Sequence, residues 1–157
     1  MEKDVQVIWY CDDEIGIIFD KVPNLTIRFA SPWMSEEEVK EINKKPFICN
    51  EELKVILQDK IEQETYEFYI PSGYTWDGAT IPRVFWRLIG SKSDNRFLVP
   101  SLVHDVLCEN HDYIDSDRYF STIIFERLLY VSKVNPVSRW MMKHSVDNAQ
   151  KIIGGWN

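Results

Sequence analysis

The sequence predicts an α+β chain: an N-terminal antiparallel β-sheet followed by a C-terminal half of three to four helices. Three observations predict it. Up to residue 70, short apolar runs are broken by polar turns, as strands and hairpins require. From residue 82 onward the apolar residues recur with a helical period, with prolines at the starts of the runs and glycines at their ends. Between the two lies "PSGYTWDGATIPR", residues 71–83, in which Pro71, Gly73, Gly78 and Pro82 mark an ordered loop.

The elements follow in order. "VQVIWY" and "EIGIIF" flank Cys11-Asp12-Asp13 and form a hairpin. "NLTIRFA" is a strand after Pro23. "SEEEVKEINKK" is a short helix in which Ser35 is the cap and Glu38 completes a capping box. "LKVILQ" and "TYEFYIP" are strands around a charged turn at residues 59–64. Helices are expected over "PRVFWRLIG", over "PSLVHDVLCEN", and over "DSDRYFSTIIFERLLYVSKV". A last helix begins at Pro136 behind the cap Asn135 and stops at Gly154-Gly155. The 157 residues suit one domain: a strand-rich N-terminal extension (1–50), strands and motif loop (51–80), and a helical part (81–157).

Composition removes several function classes. Eighteen basic and twenty-five acidic residues leave a net charge of −7 with no Lys/Arg stripe, which disfavours nucleic acid as a partner. Three widely spaced cysteines without a CxxC argue against a disulfide framework and for a reducing compartment. The N-terminus has no signal-peptide pattern, and no apolar run approaches the ~20 residues of a transmembrane helix.

The chemistry-bearing residues concentrate in "SLVHDVLCENHDYIDSDRYF", residues 101–120. On the first of its helices Val99, Leu102, Val103 and Val106 make the apolar stripe. His104 and Asp105 lie off it with Ser101 and Cys108, so by period alone they occupy a solvated face. On the next helix Phe120, Ile124, Leu128 and Val131 form the stripe, and Asp117 falls on it by phase. A carboxylate there needs donors. They are either the free N–H groups of its own helix start or the imidazole of His104, which would become a base with a fixed tautomer. His104, Cys108 and His111 share helical spacing and could hold zinc. An EF-hand is excluded because the required glycine is Phe120, and an HD phosphohydrolase because no histidine precedes His104. His144 shares a face with Val137, Trp140 and Met141 and is expected in the core. Trp76, Phe85 and Trp86 are expected to pack where the loop meets the helices. Asp77, with Thr80 and Arg83 of the same loop, is a further candidate site.

Two resemblances attach to these residues. "PSGYTWDGATIPR", "HDVLC" and "DRYF" are similar to the blocks of the phage and prophage family known as domain of unknown function 1353, from about Ile56 to the C-terminus. That resemblance implies the cytoplasm of an infected or lysogenic bacterial host, or the virion. It also implies an accessory protein that binds a host or phage protein, its HD motif serving as a structural hydrogen-bond hub. The HD helix followed by "D-x-x-F" also resembles the helix pair of phospholipases A2. That second resemblance implies a Ca2+-dependent hydrolase of a lipid or other ester, with His104 as base, Asp117 as its orienter and Asp105 as calcium ligand. Backbone carbonyls around Gly78 would complete the calcium shell.

Overall fold

A computed structural model describes residues 6–78, 95–110, 114 and 118–152. The expected α+β architecture is present, with seven strands ahead of the helices of the C-terminal half. Strands β1 (Val7–Cys11) and β2 (Ile15–Phe19) form the first hairpin. Its turn is closed by the Asp12 carboxylate, which accepts from the N–H groups of Glu14 and Ile15 at 2.7 and 2.8 Å. β2 pairs with β5 (Leu53–Asp59), and β5 with β6 (Glu64–Ile70), giving a four-stranded antiparallel sheet of order β1-β2-β5-β6. Residues 7–19 therefore share a sheet with residues 53–70. Along β5, Leu53, Val55 and Leu57 alternate inward, as a strand with one covered face requires.

A second sheet has the order β3 (Leu25–Ile27), β4 (Phe47–Cys49), β7 (Thr75–Trp76). The last two strands lie where the sequence pattern predicts none. "FIC" is too short for a periodic signal, and Thr75–Trp76 pairs only because β4 offers it an edge. Helix α1 (Glu36–Lys44) joins β3 to β4, and the Glu38 amide donates to Ser35 Oγ at 3.2 Å as the capping box expects.

The helices are α2 (Leu98–Glu109), α3 (Arg118–Val131) and α4 (Pro136–Ile152), with a short 3-10 turn at Asn95–Phe97 before α2. The sequence predicts α2 from Pro100; Leu98 and Val99 precede it. The expected helix 82–90 lies outside the described residues. The α3 stripe holds, with Phe120, Ile124 and Leu128 buried. Lys133, at φ +67°, turns the chain out of α3, and Asn135 Oδ1 caps α4 by accepting from Ser138 N–H at 2.9 Å.

The α4 face is corrected. Val137 and Trp140 are 66% and 63% exposed, and His144 is exposed beside the Trp140 ring. Ser138, Met142 and Val146 point inward instead. Both sets have helical spacing, and the choice falls to the one that meets Phe97, Phe125 and Leu129, so His144 is not a core residue.

One apolar cluster joins Ile17, Phe19, Val55 and Leu57 of the larger sheet to Leu102, Val106, Ile124 and Leu128 of the helices. A polar clamp closes its edge. Arg127 of α3 bonds Asp12 and Glu14 of the first hairpin, each at 3.3 Å, and also the adjacent Glu126. Arg139 of α4 bonds Glu126 at 3.2 Å. Partial burial alone would raise the Asp12 carboxyl. Hydrogen bonds from Tyr10, the two turn amides and Arg127 outweigh it and hold the group at about 2.

A carboxyl depressed in the folded state contributes stability that is present above its unfolded value, near 4, and lost as pH falls toward 2. Asp12→Asn should therefore lower stability at neutral pH and flatten the acid limb between pH ~4 and ~2. Urea titrations across that range check this; parallel curves for both proteins would refute it.

Candidate functional site

The site is built where β7 meets α2. Trp76 is fully buried and its indole Nε1 donates to Ser101 Oγ at 2.9 Å. Ser101 in turn donates to the Leu98 carbonyl at 3.1 Å. The Phe47 and Tyr74 rings flank the indole at 5.6 and 6.4 Å. Next to it, Gly78 has φ +89°, and a Cβ there would stand 2.5 Å from the Phe47 ring. No other residue fits that backbone at that distance.

Ser101, Asp105 and Glu109 are spaced i, i+4, i+8 and so share one face of α2. Each meets the motif segment. Ser101 takes the Trp76 indole, Asp105 hydrogen-bonds the Asp77 side chain, and Glu109 accepts from the Tyr74 hydroxyl at 2.7 Å. The solvated-face reading of α2 is thereby overturned. Ser101 and His104 are 2% and 5% exposed, because the loop covers the polar face while α3 covers another. A period shows which residues share a face; it does not show what lies against that face.

The two residues of the HD pair diverge. Burial pushes the His104 imidazole down to about 4, so the ring is neutral at physiological pH. It packs on Phe125 of α3 at 5.0 Å between ring centres. Cys108 Sγ lies 3.6 Å from both of its nitrogens, a contact that favours neither. Asp105 turns the other way, to Asp77. Two carboxyls can share a hydrogen bond only if one holds a proton. The more buried one does. Burial first, then the charge and hydrogen bond of Asp77 and the charge of Glu109, push Asp105 up to about 9 against the opposing pull of Lys45. Burial and the charges of Asp105 and Glu109 also push the Cys108 thiol up to about 12, which removes it as a nucleophile at neutral pH. Burial and the nearby acids, Glu109 foremost, raise the Tyr74 phenol, so it stays a donor.

Of the expected site residues, Asp105, Asp77 and Gly78 come together, and His104 stands behind them. Asp117, Thr80, Arg83, His111, Phe85 and Trp86 lie outside the described residues. Trp76 is buried where the loop meets α2, as expected. Ser101, Tyr74 and Glu109 were missed as parts of the site, although the i, i+4, i+8 spacing through Asp105 was the available signal. Among the described residues, no three His, Cys, Asp or Glu side chains converge as metal ligands. The three cysteines are free.

Fold and site together define an α+β protein with a paired-carboxyl centre at a loop–helix junction. The chain belongs to the family described as "Protein of unknown function (DUF1353)", whose model matches residues 53–146. The uncharacterized protein y4jT of Sinorhizobium fredii (strain NBRC 101917 / NGR234) is 31% identical over 74 residues, 47% of this chain and 20% of that protein. The chain thus matches about a fifth of that relative's length. No solved structure matches the chain. Among the described residues, no helix is long and apolar enough to cross a membrane.

Two outcomes follow for this site. Gly78→Ala should cost about 2 to 4 kcal/mol of stability, since it combines a left-handed backbone with a clash against Phe47; an unchanged urea midpoint would contradict that packing. For Asp105 the folded value is raised, so its penalty is absent below pH ~4 and grows as pH rises toward ~9. Asp105→Asn, which keeps a donor toward Asp77, should gain stability over wild type at pH 8 and not at pH 4. Equal differences at both pH values would show that the acid is not held protonated.

Proposed function

We propose that the protein is a phage-type, Ca2+-dependent ester hydrolase centred on Asp105, Asp77 and His104. The observation that carries this reading is the contact between Asp105 and Asp77. A structural hub would surround the HD aspartate with N–H and O–H donors; here it faces a second acid, which costs stability. Such an arrangement is retained where the pair has work to do, by exchanging its proton for a cation or by moving that proton.

In this reading the two carboxylates and the carbonyl of Gly78 hold Ca2+, which when bound polarises an ester carbonyl. Asp105 must release its proton to bind, so affinity rises with pH. His104 is neutral, the state in which an imidazole accepts a proton from water. The phospholipase resemblance gives Asp117 the role of orienting it, and Thr80 and Arg83 are the further candidate residues of the motif loop. The substrate is a lipid or smaller ester, and the setting is the infected or lysogenic bacterial cytoplasm or the virion.

A second reading rests on a different surface. Val137, Trp140 and His144 leave an aromatic face of α4 in solvent, which favours an accessory protein docking on a host or phage protein.

The test is thermal or urea stability and hydrolysis of a chromogenic ester, with Ca2+ and with chelator. Wild type should gain about 3 kcal/mol at a hundredfold excess of Ca2+ over Kd, and Asp105→Asn should gain nothing and hydrolyse nothing. His104→Ala should keep the Ca2+ response and lose hydrolysis. A wild type that shows neither response ends the hydrolase reading.

A further inference from the structure

Beside the acid pair a groove of about 360 Å3 opens, with Phe68, Tyr69, Pro71, Tyr74, Glu109 and Ile114 among its walls. Three of those walls are aromatic rings, whose faces carry partial negative charge. Glu109 stands at one end with its side chain 48% exposed. Tyr74 links that end to the centre, since its hydroxyl bonds Glu109 and lies within electrostatic reach of Asp105 and Asp77.

The surrounding charges do not cancel. Lys45 lies 3.9 Å from Glu109, and Lys54 bonds Glu67 at 2.9 Å. Among the described residues, two lysines thus stand against Glu67, Glu109 and Asp77, and the excess is negative. The chain itself shows what such a wall attracts: the Lys54 ammonium sits 5.9 Å from the centre of the Tyr69 ring. An anion would meet Glu109 directly. A neutral apolar group would fill the groove and gain nothing from the Glu109 carboxylate, which the Tyr74 hydroxyl and Lys45, 3.9 Å away, only partly satisfy with its side chain 48% exposed.

We propose that this groove binds a protonated amine or guanidinium carried on an apolar body. As the cationic arm of the ester turned over at the acid pair, it names the substrate class. That step rests on the hydrolase reading, whereas binding itself does not. The apolar body lies along Phe68, Pro71 and Ile114, and the cation lies between the Tyr69 ring and Glu109.

The probe is phenylbutylamine, with phenylbutanol as its neutral counterpart and phenylbutyrate as the anion. They are titrated into the full chain without Ca2+ and followed by amide NMR shifts. The amine should bind about tenfold more tightly than the alcohol, with shifts at the groove residues, and the anion weakest of all. Glu109→Gln should erase the amine's advantage, and Tyr69→Ala should weaken it severalfold. Equal affinities for amine and alcohol, or shifts away from the groove, would overturn the proposal. Asp105→Asn, which removes the proposed Ca2+ site, should still bind the amine. Amine binding without hydrolysis therefore counts against the hydrolase alone, and hydrolysis without amine preference counts against the groove alone.

Discussion

The hydrogen bond from the Trp76 indole to Ser101 is the constraint on which the site depends. It is fully buried, so neither partner can exchange it for water, and losing one would leave the other unsatisfied at a cost of about 1 to 3 kcal/mol. It fixes the motif strand to the second turn of α2. One turn further along that helix, Asp105 must then meet Asp77, and two turns along, Glu109 must meet Tyr74. The acid pair is thus a consequence of where the indole is pinned. An exposed loop bearing Asp77 alone would simply have swung the carboxylate into solvent.

Much of the fold was legible because it is written in local rules. The capping box at Ser35 and Glu38, the cap at Asn135 and the inward alternation of Leu53, Val55 and Leu57 need only neighbours in sequence. The failures share one cause. The side of α2 that carries His104, and the side of α4 that carries His144, were assigned by period against a supposed solvent. Which face meets solvent depends on elements distant in the chain. For α2 the motif loop covers residues that look polar. For α4 the inward set is the smaller Ser138, Met142 and Val146, leaving Trp140 outside. The strands β4 and β7 escaped for the same reason, since each is defined by its partner more than by its own residues.

The candidate site was half legible. "TWDGAT" and "HDVLC" both drew notice as motifs, yet nothing in their composition says that Asp77 and Asp105 touch. Their contact gives the HD pair a division of labour that the sequence does not express. His104 is absorbed between helices, neutral and packed on Phe125. Asp105 is held as an acid against another acid. The two environments lie one peptide bond apart, because adjacent helical residues point about 100° apart.

The first hairpin bears on how this family is to be delimited. The family match opens at Leu53, the first residue of β5, yet β5 is an interior strand only because β2 lies against it. A chain cut at that boundary would turn β5 into an edge seven residues long, with Leu53, Val55 and Leu57 on its inner face and an unpaired row of backbone donors along its side. Such an edge invites pairing with another molecule. A relative whose likeness to this chain begins at Leu53 would need other strands, from whatever sequence precedes its match, to cover β5, and those strands need not resemble residues 7–19 at all.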